Sequence, residues 1–332
     1  MGAPGPGTAR RGQGHLRGPH PHGTLGQGAD VREHCYPSDM SDAEWELIRP
    51  LLPPPAASLP TGGHPEVYAR RDVVDAVRYV NRTGCQWRAV PSDFPPWRTV
   101  FRWFSKWHAT GVTARICAEL HEQVRLREGK NPRSVTVVVD SQTVKADATV
   151  PRATTGYDAG KKTTGRKRHL AVDTRGLPVM MMVTPASVHD AHAARDFLFR
   201  LRLAHPEITL VWADSAYGGE LVTWAKDHLR LTLKTVNRPK TKGFVLLPKR
   251  WVVERSISWL MRSRRNCRDY EKLPQHAEAH LAWTVMALMT RRLTKPVADW
   301  REPKPPPPPP APPLRIRLRP WTVRLAPAPL TR

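Results

Sequence analysis

The chain has 332 residues, with 53 Lys and Arg against 29 Asp and Glu, a formal net charge of +24. Solubility alone asks for a net charge of only about 2–8, so the excess points to a polyanionic partner, nucleic acid first. The four cysteines form no Cys-x-x-Cys pair, the histidines complete no zinc-finger spacing, and the apolar run Leu281–Met289 is too short to span a bilayer, which excludes zinc modules and a membrane span and fits reduced thiols in the cytosol. The termini do not carry the charge: about two thirds of it, +16, falls within residues 36–300.

Residues 1–35 are rich in Gly, Pro, His and Arg and hold nothing that could form a core, so a disordered tail is expected. Arg10 and Arg11 are followed by no apolar segment, which argues against a signal peptide. Organised sequence begins at Tyr36. Ser41-Asp-Ala-Glu44 is a capping box, opening a helix with Trp45, Ile48, Leu51 and Leu52 on one face that stops at Pro53. Val73, Val74, Val77 and Val80 give a second helix over about 71–81, broken at Gly84. A third, Trp97–His108, sets Val100, Phe101, Phe104 and Trp107 on one face and Arg98, Arg102 and Lys106 elsewhere; Gly111 separates it from a fourth at about 112–127. A four-helix block over 36–130 suits helix-turn-helix DNA binding and suits any small bundle equally.

From about 131 to 295 strands alternate with helices. Val135–Val139 reads as a strand, Tyr157–Arg168 as a basic loop, and His169–Asp173 with Val179–Thr184 as a hairpin across Arg175-Gly176. A helix follows over about 190–203, then a strand Ile208–Ala213, a helix near 218–228 and a strand Leu231–Val236. A helix bearing Glu254 and an amphipathic helix over about 275–293 close the domain. This order predicts an α/β domain, a mixed sheet flanked by helices. Residues 296–332 are Pro- and Arg-rich, with an unbroken Pro305–Pro310, and read as a second disordered tail.

Two runs of β-branched or apolar residues, Ser134–Asp140 and Ile208–Asp214, end in Asp, as buried strands delivering carboxylates at their ends would. With Glu254 from the later helix, Asp140 and Asp214 form a set of hard oxygen ligands suited to two divalent ions, the arrangement that metal-assisted phosphoryl transfer requires. Each Asp has a local alternative: Asp140 as a turn cap through Ser141, Asp214 as the start of the Ser215–Gly219 turn. Asp147, Asp158, Asp173 and Asp190 are available too, so composition does not select the triad.

Five stretches in order, Val139–Lys145, Gly156–Lys162, Gly165–His169, Ala213–Gly219 and Arg250–Arg255, with the opening Tyr36–Pro54, resemble bacterial insertion-sequence transposases of the DDE type, the IS-four/IS-five group. The resemblance spans about 36–293. It implies a ribonuclease-H-like catalytic fold over 131–295 behind a small all-helical domain, and Asp140, Asp214 and Glu254 as catalytic residues and metal ligands. It further implies Mg²⁺ or Mn²⁺, two ions, and DNA partners in the form of terminal inverted repeats and target DNA. A homodimer or larger synaptic assembly is expected, because two ends must be handled together, in a cytoplasmic, nucleoid-bound protein. The chain departs from the wider family signature around the last acid: Arg250 is in place, but Leu247 stands at the Tyr position and Met261 at the Lys position, with Arg262 or Arg264 nearby.

Candidate contacts to DNA phosphates are Arg250, Arg255, Arg262, Arg264 and Arg265 around Glu254, Lys161, Lys162, Arg166, Lys167 and Arg168 in the expected basic loop, and Arg98, Arg102 and Lys106 in the third helix. Trp251 and Trp259 are expected in the core. The competing readings are a metal nuclease without strand transfer and a non-catalytic DNA-binding protein.

Overall fold

The computed structural model describes residues 32–60, 62–236 and 250–296. Both expected tails lie almost wholly outside these residues, as does Leu247. Among them are eight α-helices and one six-stranded sheet. No helix is long and apolar enough to cross a membrane.

The first four helices are α1 (Asp42–Ile48), α2 (Arg70–Thr83), α3 (Trp97–Ala109) and α4 (Val112–Arg127). The capping box forms as the sequence requires: Ser41 Oγ accepts from the Glu44 amide while the Glu44 carboxylate accepts from the Ser41 amide. Gly84 ends α2 in the left-handed region at φ 75°, a conformation glycine adopts without a Cβ clash.

The sheet comprises β1 (Thr136–Lys145), β2 (Gly156–Asp158), β3 (Thr163–Asp173), β4 (Pro178–Pro185), β5 (Leu210–Asp214) and β6 (Thr232–Val236). Its path runs β4-β3-β1-β5-β6: β3 is antiparallel to β4 and β1, and β1, β5 and β6 are parallel. β2 pairs with the first residues of β3, beyond the stretch that β4 covers. The helices α5 (Asp190–Ala204) and α6 (Glu220–Leu229) are the crossovers that the parallel strands need.

Each strand divides its side chains between two cores. Val137, Val139, Val211 and Ala213 pack with α5 and α6. Val138, Leu170 and Val172 pack on the other face with α7 (Arg250–Met261), α8 (Pro274–Thr294) and the four-helix block. The helical and sheet halves therefore share one hydrophobic core. α8 is its centre: it packs on α1, α2, α3, α4, α7 and β4, and Leu281, Trp283, Val285, Met286 and Met289 are all buried. A helix enclosed on all sides needs no polar stripe, so its pattern looked like a closing helix of the sheet when it is the axis of the bundle.

The expected basic loop over Tyr157–Arg168 is instead β2, a tight turn and the first half of β3. Arg166, Lys167 and Arg168 are buried in β3, alternating between the faces of the sheet. Charge made this stretch look solvated; internal partners make it a strand. The β1 strand also runs six residues past the expected end at Val139, because β3 pairs with it as far as Lys145.

Candidate active site

Strand pairing sets the two aspartates together. β1 and β5 are parallel with Thr136 opposite Leu210, Val137 opposite Val211 and Val138 opposite Trp212. Carrying that register two residues further brings Asp140, midway along β1, level with Asp214 at the carboxyl end of β5. Side chains alternate along a strand, so Asp140 lies on the face of Val138 and Asp214 on the face of Trp212. Both faces are the one covered by α7 and α8. In open α/β sheets ligands bind outside the carboxyl ends of such strands.

Each carboxylate is held by the backbone just after it. Asp140 Oδ1 accepts from the Ser141 amide at 2.8 Å, and Asp214 Oδ1 accepts from the Ala216 amide at 3.0 Å, capping the short turn Ser215–Tyr217. The local capping roles open to these residues in the sequence are thus real. Both residues remain partly exposed.

Glu254 is placed differently. It lies on α7, which packs against β1 and β3, but on the exposed side of that helix, while Val252, Val253, Ser256 and Leu260 face inward. Among the described residues no three His, Cys, Asp or Glu side chains are close enough to hold a metal ion. The structure therefore gathers Asp140 and Asp214 and leaves Glu254 apart.

Around the strand ends lies a polar set that the sequence did not single out. On the α5 side, Ser141 Oγ donates to Asp190 at 3.2 Å, and Lys167 Nζ lies 3.0 Å from the same carboxylate while donating to the Val188 carbonyl at 2.8 Å. His169 is wholly buried next to Phe197 and shares a hydrogen bond with Thr184 Oγ1 at 2.9 Å. Burial pulls its pKa down to about 4, with Lys167 and Lys161 adding to the shift and Asp190 opposing it. Burial likewise holds the Tyr217 hydroxyl well above its ordinary pKa, and the carboxylates of Asp190, Asp140 and Asp214 add to this. The available signal was period-two alternation from Thr163 to Asp173, which puts Lys167 and His169 on one face and Arg166 and Arg168 on the other.

The expected DNA contacts divide by burial. Arg98, Arg102 and Lys106 are exposed at four-residue spacing, one stripe along α3, with Arg98 over the Trp97 ring and Lys106 over that of Trp103. Lys161, Lys162, Arg262 and Arg264 are exposed too. Arg255 stacks on both Trp251 and Trp259 and donates to the Arg175 carbonyl; Trp251 is 40% exposed, so it is not the core residue expected. Arg250 begins α7.

Four of the expected contacts are spent inside the protein. Arg166 binds both Asp269 oxygens at 3.2 Å and also engages Thr154, Glu271 and Lys272. Lys167 is held by Asp190. Arg168 donates to the Asn266 carbonyl, and burial lowers its pKa to about 10. Arg265 pairs with Glu271 at 2.5 Å. Cationic groups buried on internal acceptors in this way present no donor at the surface for a phosphate.

The family described as "Putative transposase of IS4/5 family" matches residues 40–117, which is most of the helical block, and the family described as "Transposase DDE domain" matches residues 131–290. Over 111 residues, 32% of this chain and 73% of the relative, the sequence is 30% identical to the "Insertion element IS402 uncharacterized 16.2 kDa protein" of Burkholderia cepacia. No solved structure matches. The mixed sheet, three strands antiparallel and then two added in parallel, is consistent with the ribonuclease-H-like fold of such domains. The chain belongs to the IS4/IS5-type insertion-sequence transposases with a DDE domain, enzymes of metal-dependent phosphoryl transfer on DNA.

Proposed function

We propose that this transposase binds the terminal inverted repeats of its element, cuts at their ends and joins the 3′-hydroxyls to target DNA, with Asp140, Asp214 and Glu254 as its catalytic acids. The observation that carries the reading is the parallel register of β1 and β5, which when extended sets Asp140 level with Asp214 on one face of the sheet. Their donor atoms are carboxylate oxygens, which fit a hard divalent ion such as Mg²⁺ or Mn²⁺. Asp140 and Asp214 would hold such an ion, whose chemistry would be to activate the attacking oxygen and stabilise the leaving one. The chain's own part is to fix the two carboxylates: the Ser141 and Ala216 amides each hold one oxygen in place. Glu254 completes the set when α7 turns its exposed side toward the strand ends. No side chain acts as a covalent nucleophile; water or a DNA 3′-hydroxyl attacks in line.

The exposed stripe of Arg98, Arg102 and Lys106 supports DNA binding by the helical block, with Lys161, Lys162, Arg250, Arg262 and Arg264 as the further phosphate contacts. The protein works in the bacterial cytoplasm, as a dimer or larger assembly holding two ends. The test is cleavage of DNA carrying the element's own ends with Mg²⁺ or Mn²⁺, comparing the native protein with Glu254→Gln. Metal-dependent cutting lost in the variant is expected. Undiminished cutting by Glu254→Gln removes that residue from the triad. A folded native protein that binds the ends and cuts nothing is a DNA-binding protein only, and cutting without joining marks a nuclease.

A further inference from the structure

A cavity of about 220 Å³ lies between α2, the end of α7 and α8. Six cationic side chains line it, Arg78, Arg82, Arg262, Arg291, Arg292 and Lys295, and no carboxylate does. Arg78 pairs with Glu44 at 3.1 Å and Arg292 with Glu128 at 3.7 Å, both outside the lining. The other four have no carboxylate within ion-pair distance among the described residues. Burial lowers the pKa of Arg291 and of Arg292; Arg78 and Arg82 push the same way on Arg291 against Glu44, and Arg255 and Arg175 do so on Arg292 against Glu128 and Asp173. Like charges packed this closely repel unless an anion joins them.

A second, independent observation points to the same ligand. Arg78 Nη1, Ser38 Oγ and Trp283 Nε1 are buried without a hydrogen-bond partner, and all three residues line this cavity. They are 4%, 3% and 1% exposed. Buried donors without acceptors are rare and costly, and three belong to residues that line this one basic cavity. A tetrahedral oxyanion offers acceptors in several directions and the charge that the arginines lack.

We propose that this cavity binds a phosphate group. Its source is either a backbone phosphate of bound DNA or a free phosphate ion. The DNA source rests on the transposase reading above; the phosphate chemistry does not. Arg262 lies eight residues beyond Glu254, about 12 Å along the axis of α7. That is roughly three to four nucleotide steps along a strand of B-DNA, so one strand could span Glu254 and the cavity.

The experiment uses the full chain, a short DNA duplex of arbitrary sequence, and inorganic phosphate. The variants are Arg262→Gln alone, exposed at the end of α7, and Arg82→Gln/Arg262→Gln. Arg200→Gln and Arg133→Gln/Arg200→Gln remove equal charge elsewhere. If a DNA phosphate sits in the cavity, the slope of log affinity against log salt falls by about one in the cavity variants relative to the controls. If the guest is free phosphate, that slope is unchanged, and phosphate raises the melting temperature of the native protein and controls but not of the cavity variants. Cavity variants that match their controls in both readouts overturn the proposal. Neither readout requires cleavage, so an inactive protein that shows the slope change overturns the catalytic reading and leaves the cavity assigned.

Discussion

Extending the register of β1 and β5 sets Asp140, midway along β1, level with Asp214 at the end of its parallel neighbour, and a backbone amide holds one oxygen of each. Two carboxylates so placed favour a divalent cation between them and repel without one. Mn²⁺ is expected to raise the melting temperature of the native protein. Asp140→Asn and Asp214→Asn should each abolish that rise while folding normally, and lower end cleavage a thousandfold or more, about 4 kcal/mol of activation free energy. Melting curves with and without Mn²⁺ check this; a variant still stabilised like the native protein does not lose a metal ligand.

Arginines of similar sequence context should behave oppositely. Arg166 is wholly buried on Asp269, so Arg166→Gln or Asp269→Asn leaves one charge buried without its partner, at a cost of about 3–5 kcal/mol. The α3 stripe is exposed, so Arg98→Gln/Arg102→Gln/Lys106→Gln should leave stability within about 0.5 kcal/mol and lower the salt slope of DNA binding by up to about three. Urea unfolding and DNA titrations, run on both sets, separate the two roles.

Acid should unfold the protein partly through Glu271. Burial pushes its pKa up, but His280 and the Arg265 guanidinium outweigh that and pull it down to about 2 from an ordinary 4.5. A carboxylate depressed on folding contributes stability that is complete above its unfolded pKa and lost as pH falls through its folded value. The window is therefore pH 4.5 down to about 2, and the amount about 3 kcal/mol. Glu271→Gln should be less stable at neutral pH and should lose less stability across that window. Urea midpoints at several pH values measure both.

Gly165 tests the contact between β1 and β3. A Cβ there would strike the Val144 carbonyl oxygen and come within 2.9 Å of the Ala146 amide nitrogen. Both are backbone atoms of the neighbouring strand and cannot rotate away. Gly165→Ala should cost about 1–3 kcal/mol or more, seen as a lower urea midpoint, whereas Gly160→Ala, whose nearest neighbour is an Asp158 oxygen at 3.5 Å, should be close to neutral.

Local physics was enough to draw most of the elements from the sequence. The capping box, the valine face of α2, the glycine stop at Gly84 and the apolar runs before Asp140 and Asp214 are each set by neighbours a few residues apart. Motif order identified the family from the same string. Long-range pairing decided the rest. The level of Asp140 with Asp214 follows from the register of two strands some seventy residues apart. The burial of Arg166 requires Asp269, about a hundred residues on, and without that partner the stretch reads as a solvated basic loop. The same applies to α8, whose even apolar surface made sense only with helices on every side, and to Glu254, whose helix was legible but whose outward aim depends on which face of α7 the core takes. Charge and hydrophobic period are properties of a chain segment; which charge meets its partner is a property of the fold.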